Sequence, residues 1–253
     1  MIRTPAGVSA TDKPSRISVI KTCICGKMGK MVYQSAKEYG IKTVCGVDKL
    51  SDDNFDCPVY NRFESVGERA DVVIDFSSPD IQKELLDYCV RTKTPLVLAT
   101  TGQNEKQIDE ICSAADIIPV LKTSNTSPAV NMFIELAGKL AKLLDDYDIE
   151  IIETHHRNKK DAPSGTAKQI IKEIEKNRNI ENLAVGRNNV ARKNGEIGVH
   201  SVRGGTVTGE HSVCYFGKYD TLTITHSASS RKLFADGALE AAKFIYDKPA
   251  GLY

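Results

Sequence analysis

Residues 17–29 read ISVIKTCICGKMG, and this short segment sets the architecture of the first half of the chain. Its β-branched beginning predicts a strand over residues 17–25, and the glycines at its end predict a tight turn. Residues 30–39 have helical periodicity, with Gly40 where a terminating glycine belongs, and residues 42–47 predict a second strand. A strand, a glycine turn, a helix and a second strand together form one βαβ unit.

The glycine turn is the first candidate binding site. Gly26 and Gly29 fit the second and third glycines of a dinucleotide-binding fingerprint, whose backbone approaches a pyrophosphate at a helix N-terminus. Asp48 ends the second strand, where that fingerprint has an acidic residue that holds a ribose hydroxyl, and Lys49 beside it suits a 2′-phosphate. Cys23 occupies the place of the first glycine, so a tight strand–helix turn without a ligand is the alternative interpretation.

Three further apolar strands follow and alternate with helices. The strands are predicted at residues 71–76, 95–99 and 117–121, with helices to about Arg91 and over residues 105–114. Strands that are apolar throughout and alternate with helices are typical of a parallel sheet covered on both faces.

Two polar segments follow the later strands of this sheet. They are Ala99-Thr-Thr-Gly102 and Thr123-Ser-Asn-Thr126. Ligands of open α/β sheets bind at the carboxyl ends of strands, so both segments are candidates to line the nicotinamide end of a cofactor. Helix capping by Thr101 and Ser127 is the alternative.

The second half of the chain has a different pattern. A helix is predicted over residues 131–144, a strand over 148–152, a helix over 167–176 and three strand-like stretches between 197 and 226. A closing helix over residues 233–246 has the apolar spacing to pack back on the first domain. The fold class is therefore α/β: a Rossmann-like domain of residues 16–126 with 231–253, and an α+β domain of residues 127–230 with a mainly antiparallel sheet. Residues 1–15 are expected to be a flexible leader.

Composition excludes several classes of function. Lysine and arginine number 34 against 33 acidic residues, which gives a net charge of +1 and no global reason to bind nucleic acid or an anionic membrane. No apolar run is long enough to span a bilayer. Seven cysteines without a C-x-x-C pair argue against disulfides and a structural metal, and favour a reducing compartment, the cytoplasm.

The chemically most informative stretch is ETHHRNKKDAPSGTA, residues 153–167. His155, His156 and Lys159 bring groups that carry protons near neutral pH into one short run, and crowded positive charge would lower the pKa of a lysine there. The run ends in Ser164-Gly165-Thr166 at a predicted helix start, whose free N–H groups suit a carboxylate. The alternative is a solvated basic loop. Metal binding is not expected, because adjacent histidines point apart and no third ligand is evident.

This stretch resembles the signature E-x-H-H-x-x-K-x-D-A-P-S-G-T-A of the dihydrodipicolinate (4-hydroxy-tetrahydrodipicolinate) reductase family, and it matches every fixed position. The similarity extends over most of the chain. The other matching segments are Gly26-Lys-Met-Gly29, Asp75-Phe-Ser, Thr100-Thr-Gly102, Val202-Arg-Gly-Gly205, Gly209-Glu-His211, Ser229-Ser-Arg231 and Gly251-Leu252.

The resemblance implies an oxidoreductase of lysine and diaminopimelate biosynthesis. Such an enzyme reduces a cyclic imine dicarboxylate with NADH or NADPH and is a homotetramer, so residues 127–230 are expected to bind substrate and to oligomerise. His155 is implied as proton donor and acceptor and Lys159 as proton donor, with His156, Gly165 and Thr166 as contacts of the substrate carboxylates. The implied cofactor positions are Cys23, Ile24, Cys25, Gly26, Lys27, Met28, Asp48, Lys49, Ala99, Thr100, Thr101, Thr123, Ser124, Asn125 and Thr126.

Three departures and two rival hypotheses accompany this interpretation. Cys23 and Ala99 stand where the family has glycine or often has it, and these replacements bear on cofactor affinity and preference. Residues 127–131 also lack a glycine that is usual before Asn131.

One rival is a Rossmann-type reductase of another keto or imino acid. The other is a non-catalytic nucleotide-sensing protein, which the intact His155 and Lys159 disfavour.

Overall fold

The computed structural model describes residues 17–50, 52 and 54–253, and the expected leader over residues 1–15 lies outside them. The chain divides into two compact units. Unit 1 comprises the described residues up to Thr126 together with Phe234–Tyr253, and unit 2 is Ser127–Leu233. Among the described residues, no helix has the length and apolar character needed to cross a bilayer.

Unit 1 is built on a sheet of seven parallel strands. They are β1 (Ser18–Thr22), β2 (Lys42–Val47), β3 (Val59–Tyr60), β4 (Val72–Asp75), β5 (Leu96–Leu98), β6 (Pro119–Lys122) and β12 (Gly251–Leu252). Their order is β12-β6-β5-β4-β1-β2-β3, and every pairing is parallel. The six strands from β3 to β6 have the order of a Rossmann fold, whose direction reverses between β1 and β4.

Helices cover both faces of this sheet, as the uninterrupted apolar strands predict. They are α1 (Lys27–Glu38), α2 (Gln82–Thr92), α3 (Glu105–Ala115) and α6 (Lys232–Ile245). Buried side chains of α2 and α3 pack with Ile20 and Leu96, whereas those of α1 and α6 pack with Val19 and Val97. Neighbouring residues of one strand therefore enter different cores, as strand geometry requires.

The first strand and first helix meet earlier than the sequence predicts. The strand predicted over residues 17–25 ends at Thr22, and the helix predicted from residue 30 begins at Lys27. The strand ends there because Cys23 has a φ of +50°, in the left-handed region that breaks an extended chain. The predicted terminating glycine is confirmed, since Gly40 has a φ of +67°.

Unit 2 pairs two helices with a five-stranded sheet. Its elements are α4 (Pro128–Leu143), β7 (Asp148–His155), α5 (Gly165–Asn177), β8 (Asn182–Val185), β9 (Glu196–Arg203), β10 (Gly209–Phe216) and β11 (Thr221–Ala228). The order is β11-β10-β7-β9-β8. The sheet is mixed: the pairings of β10 are antiparallel and extend over more residues than the two parallel pairings of β9.

The strand β7 is longer than predicted, and this changes the setting of the candidate residues. The sequence predicts a strand that ends at Ile152, whereas β7 continues through Glu153 to His155. The sequence predicts that the charged run from Glu153 onward lies beyond the strand. Glu153 and His155 nevertheless continue the inward alternation of Ile149 and Ile151, which are buried in the core with α4 and α5.

Candidate active site

The predicted cofactor positions all follow carboxyl ends of strands in unit 1. Residues 23–28 follow β1, residues 48–49 follow β2, residues 99–101 follow β5 and residues 123–126 follow β6. The register pairs Thr22 with Val47 and Asp75 with Leu98, so these strand ends lie side by side. The sheet thus places them along one edge, where open α/β sheets bind ligands.

The turn after β1 is closed by backbone hydrogen bonds and leaves no room for a side chain at Gly29. Gly26 N donates to Cys23 O at 3.1 Å, and Gly26 is the N-cap of α1 without a capping side chain. A Cβ at Gly29 would lie 2.0 Å from Cys23 O and 2.6 Å from Ile24 Cα, so only glycine allows the helix to approach the turn this closely. The first N–H groups of α1 are therefore presented by a tight, uncapped turn.

Asp48 is fixed beside this turn by backbone donors. Cys25 N donates to its Oδ2 at 2.9 Å, and Leu50 N donates to its Oδ1 at 3.0 Å. Each carboxylate oxygen can accept a second hydrogen bond. The neighbouring Lys49 is exposed. The structure therefore brings the predicted ribose-binding acid and the predicted pyrophosphate turn together.

Asp75 connects three strand ends. In the sequence it stands out only as part of the matching segment Asp75-Phe-Ser. It is 1% exposed and accepts hydrogen bonds from the hydroxyls of Thr22 and Thr100 at 2.5 Å and of Ser77 at 2.6 Å. Thr22 ends β1, and Thr100 follows β5. The available signal in the sequence was an acidic residue at the end of an apolar strand, since a buried carboxylate there requires several hydrogen-bond donors.

In the polar segments after β5 and β6, several side chains are held by hydrogen bonds within unit 1. Thr123 Oγ1 donates to Asn125 O at 2.6 Å, and Thr126 Oγ1 donates to Phe234 O at 2.7 Å. The expected alternative of capping by Thr101 is wrong, because Asn104 caps α3 through a reciprocal capping box with Gln107. Capping by Ser127 is confirmed, since its hydroxyl accepts from Val130 N at 3.3 Å.

In unit 2, a group that we call the histidine cluster comprises the buried residues Glu153, His155, Ser164 and His211 and the half-buried Arg203. Glu153 is completely buried, and its Oε2 lies 2.5 Å from His155 Nδ1. Arg203, opposite His155 on β9, places Nη2 2.7 Å from Glu153 Oε1 and Nη1 3.0 Å from Oε2. Ser164 N adds a fourth donor at 3.2 Å. The carboxylate therefore lies between a guanidinium fork and an imidazole.

Protonation states within the histidine cluster follow from this arrangement. Burial opposes ionisation of Glu153, but hydrogen bonds from Arg203 and His155 outweigh it and lower its pKa to about 2. Burial also lowers the pKa of His155 below its usual value, against the opposing effect of Glu153, and it lowers the pKa of His211 to about 4. Near neutral pH the cluster thus contains an ionised carboxylate and two neutral imidazoles.

Lys159 lies in the loop after β7 and is paired with a residue that received no role from the sequence. Its Nζ lies 2.8 Å from both carboxylate oxygens of Asp161, and this bond lowers the pKa of Asp161. Arg203 holds the same loop by donating to Lys159 O and to Asp161 O. His156 follows His155 directly and is half-buried. The predicted proton donor is therefore charge-paired and attached to the histidine cluster through Arg203.

The start of α5 offers unused backbone donors. Ser164 is its N-cap and accepts from Ala167 N at 3.2 Å, while the Ser164 hydroxyl also lies 2.9 Å from His211 Nε2. Within the described residues, no group accepts from the N–H of Gly165 or Thr166. A Cβ at Gly165 would meet nothing within 4 Å, so the surroundings of these donors are open. This is the geometry expected of a carboxylate site.

Glu153, His155 and His211 also place three possible metal-ligand atoms within 4.8 Å of one another. His211 provides the third ligand atom that local spacing does not reveal, because it lies on β10. All three atoms already have partners in the histidine cluster: Arg203 and His155 use the carboxylate, and Ser164 lies at His211 Nε2. A metal ion would have to displace these bonds, so the arrangement favours a hydrogen-bonded network.

The residues that the sequence analysis left without a role share one property. Arg203, Gly209 and His211 all lie in matching segments, yet the groups that they contact in the histidine cluster are about fifty positions away in the sequence. Gly209 shows this most clearly, because a Cβ at this position would lie 3.1 Å from His155 Nε2. Only the pairing of β7 with β9 and β10 brings these groups together.

Comparison with known proteins agrees with this geometry. The family model described as "Dihydrodipicolinate reductase, N-terminus" matches residues 17–126, and "Dihydrodipicolinate reductase, C-terminus" matches residues 129–253. The 4-hydroxy-tetrahydrodipicolinate reductase of Caldanaerobacter subterraneus is 44% identical over 232 residues, covering 90% of this chain and 92% of the relative. The enzyme of the same name from Clostridium tetani is 40% identical over 232 residues, covering 90% and 91%.

Solved structures show the same fold. A dipicolinate-bound dihydrodipicolinate reductase from Paenisporosarcina superposes with a TM-score of 0.80 at 22% identity, covering 94% of this chain and 97% of that chain. The NAD complex of GenD2, from gentamicin A biosynthesis, superposes with a TM-score of 0.59 at 11% identity, covering 97% and 88%. Both family models and the full-length relatives lead to one conclusion: the chain belongs to the dihydrodipicolinate reductase family.

Proposed function

We propose that the chain reduces 4-hydroxy-tetrahydrodipicolinate to tetrahydrodipicolinate with NADH or NADPH, as a step of lysine and diaminopimelate biosynthesis. Overall, the ring gains one hydride and one proton and loses one molecule of water. The observation that carries the proposal is the segment from Glu153 to Thr166, which joins a neutral imidazole, a lysine ammonium and free helix N–H groups. The full-length relatives of that name support it.

The edge of the parallel sheet fits a nicotinamide dinucleotide. The uncapped N–H groups at the start of α1 and the tight approach of Gly29 suit a pyrophosphate, and Asp48 suits a ribose hydroxyl. Residues 99–101 and 123–126 would line the nicotinamide end. When bound, the reduced nicotinamide supplies the hydride.

Substrate binding requires two anion sites, because the ring carries two carboxylates. The free N–H groups of Gly165 and Thr166 provide one of them, with the helix dipole of α5 in favour of negative charge. His156 and the cationic loop around Lys159 provide the second. Bidentate, charge-assisted contacts of this kind orient the ring as well as bind it.

The chain's own residues would then manage the proton and the transient negative charge. Hydride addition leaves an anion-like ring, which the positive charges of Lys159 and Arg203 stabilise. The Lys159 ammonium can donate a proton, and the unprotonated Nε2 of His155 can accept one and return it. For Lys159 to reach the substrate, its bond to Asp161 must be exchanged for one to a substrate carboxylate or to the reacting ring.

The decisive measurement is the loss of nicotinamide absorbance when the purified protein is given freshly prepared imine and either cofactor. We expect turnover with the pathway imine and not with simple 2-keto acids. Lys159→Ala is expected to lower kcat by roughly 10²- to 10⁴-fold while dinucleotide binding persists. The matched control is Lys172→Ala, an exposed lysine of α5, which should leave kcat unchanged. Normal turnover by Lys159→Ala would remove the proposed proton donor.

We also infer that the protein is a homotetramer. The resemblance suggests this, and the outward face of the unit 2 sheet supports it, because Ile152, Val202 and Phe216 are all exposed there. Apolar side chains on an open sheet face are commonly covered by another copy. Sedimentation equilibrium of the wild type and of Val202→Lys measures this: a wild-type monomer contradicts the inference.

A further inference from the structure

Glu153 has no direct place in the proposed reaction, yet it has more donors than any other group of the histidine cluster. His155 Nδ1, two Arg203 nitrogens and Ser164 N all surround its carboxylate, and no part of the residue is exposed. An ionised carboxylate can only accept hydrogen bonds. The nitrogen of His155 that faces Glu153 must therefore carry a proton.

We propose that Glu153 is a positioning residue that fixes the proton of His155 on Nδ1 and leaves Nε2 as the atom that exchanges protons with the substrate. This inference rests on the proposed function for the identity of the substrate. Arg203 has the complementary part: its guanidinium fork holds Glu153 ionised and prevents the carboxylate from turning away from the imidazole.

The other groups around His155 are consistent with a proton on Nδ1. Arg203 lies opposite on β9, and the ring of His211 on β10 lies 5.1 Å away, edge to face. Lys159 in the following loop adds a positive charge, and His226 on β11 pairs with His211 and not with His155. Glu153 is the one carboxylate in contact with His155 among the described residues, so no other acid competes for its proton.

Nε2, the other ring nitrogen of His155, lies beside Gly209. A Cβ at Gly209 would lie 3.1 Å from Nε2 and 3.4 Å from Cδ2. The absence of a side chain at this position therefore leaves the unprotonated nitrogen room to approach a small partner. A ring nitrogen whose opposite nitrogen is bound to a carboxylate is held in one tautomer and one orientation, as in other acid–histidine pairs.

The consequence for the reaction is a defined proton cycle. Nε2 takes one proton from solvent, which breaks an O–H bond there and forms an N–H bond and an imidazolium that the Glu153 carboxylate stabilises. That proton then moves to the anion-like ring, which forms a C–H bond and returns the neutral imidazole. The proton on Nδ1 stays in place throughout. Without Glu153, the imidazole could carry its proton on Nε2 and could not accept one there.

The test compares Glu153→Gln with a matched variant on the same strand. Glu150 also contacts a histidine and arginines, with His200 Nε2 at 2.8 Å and Arg187 Nη2 at 2.9 Å, but it faces the opposite side of the sheet. Glu150→Gln should therefore leave His155 unchanged. Nitrogen-15 NMR of the five histidines, assigned with His155→Gln, reports the tautomer of His155 without any substrate.

We expect the wild type to show His155 with its proton on Nδ1, and Glu153→Gln to populate the Nε2–H tautomer. In that variant the pKa of His155 should fall further, because Glu153 raises it in the wild type. We expect kcat to fall by roughly 10²- to 10⁴-fold with little change in KM. Glu153→Asp, which keeps the charge, should restore the tautomer and part of kcat.

Several outcomes would overturn the proposal. A wild-type enzyme with the proton on Nε2 contradicts it directly, even if Glu153→Gln does not fold. An altered tautomer with unchanged kcat would show that the proton position does not matter for turnover. If the wild type fails to reduce the imine, the proposed function falls, while the NMR result still decides whether Glu153 sets the tautomer.

Discussion

At the scale of single residues, Cys23 shows the energetic effect of a side chain where a dinucleotide-binding fingerprint has its first glycine. A side chain in the left-handed region is strained by about 1–2 kcal/mol, partly offset by the greater freedom of glycine in the unfolded chain. We predict that Cys23→Gly stabilises the protein by up to about 1 kcal/mol and tightens dinucleotide binding. Urea unfolding and a fluorescence titration with NADH measure both. Cys25→Gly, at a residue with ordinary backbone, is the control and should destabilise.

Lys21, two residues before Cys23, is unusual in a way that the sequence does not indicate. It is completely buried, with its ammonium donating to Thr22 O and lying 5.0 Å from the ring of Phe76. Burial lowers its pKa from 10.5 to about 8, against the raising effects of Asp75, Cys23 and Asp48. The sequence places Lys21 within the strand predicted over residues 17–25 but gives no sign that its side chain is buried.

We predict that Lys21→Met is more stable than the wild type by roughly 3 kcal/mol at pH 7, at about 1.4 kcal/mol per pKa unit. The folded pKa lies below the unfolded one, so the unfolded state binds more protons between pH 8 and 10.5. The cost of Lys21 is therefore complete below pH 8 and disappears as the pH rises to 10.5. Urea unfolding at pH 7 and pH 10 should show the gap between the two proteins narrowing. A constant gap contradicts the prediction.

At the scale of elements, Asp75 holds the ends of β1, β4 and β5 together. Its removal would leave the hydroxyls of Thr22 and Thr100 without a buried acceptor, at about 1–3 kcal/mol each. We predict that Asp75→Ala weakens NADH binding at least tenfold, because the loops after these strands lose their common support. The measurement is a fluorescence titration of NADH, together with urea unfolding.

The amino ends of the strands in the same sheet provide the control for this prediction. Asp71, at the start of β4, accepts from Ser18 N and Ser18 Oγ, both at 2.7 Å. Asp71→Ala should also destabilise unit 1, but it should not change NADH affinity, since it lies at the amino ends of the strands. If both variants weaken NADH binding equally, the loss of stability alone explains the effect. Asp75 then has no special role at the carboxyl ends of the strands.

The sequence predicts elements well where periodicity is strong. The strand over residues 42–47 has the predicted bounds, and the bounds of α3 differ from those predicted by one residue. Prediction fails where pairing with residues distant in the sequence determines the secondary structure. Glu153 and His155 are strand residues because β9 and β10 pair with them, and β12 has only two residues, too few to show a pattern. Pairing across a sheet is not encoded in local spacing.

At the scale of the whole molecule, the candidate site was predictable in its parts but not in its connections. The motif that contains His155 and Lys159 was evident, as was the glycine turn. The contacts of Glu153 with Arg203 and of Ser164 with His211 were not, because each joins residues about fifty positions apart. The same hidden connections determine how the folded protein responds to acid, since they keep two imidazoles neutral.

His211 is expected to dominate that response. Its folded pKa of about 4 lies below the usual 6.5, chiefly because of burial, so the unfolded state binds more protons between these values. Stability should thus fall as the pH drops from 6.5 to 4, by roughly 2 kcal/mol as far as pH 5. We predict that His211→Gln reduces this loss, as measured by urea unfolding at pH 7 and pH 5 and by amide exchange in β10. His200→Gln, on the outward face, should retain the full loss, and an equal loss in all three proteins would assign acid sensitivity to other groups.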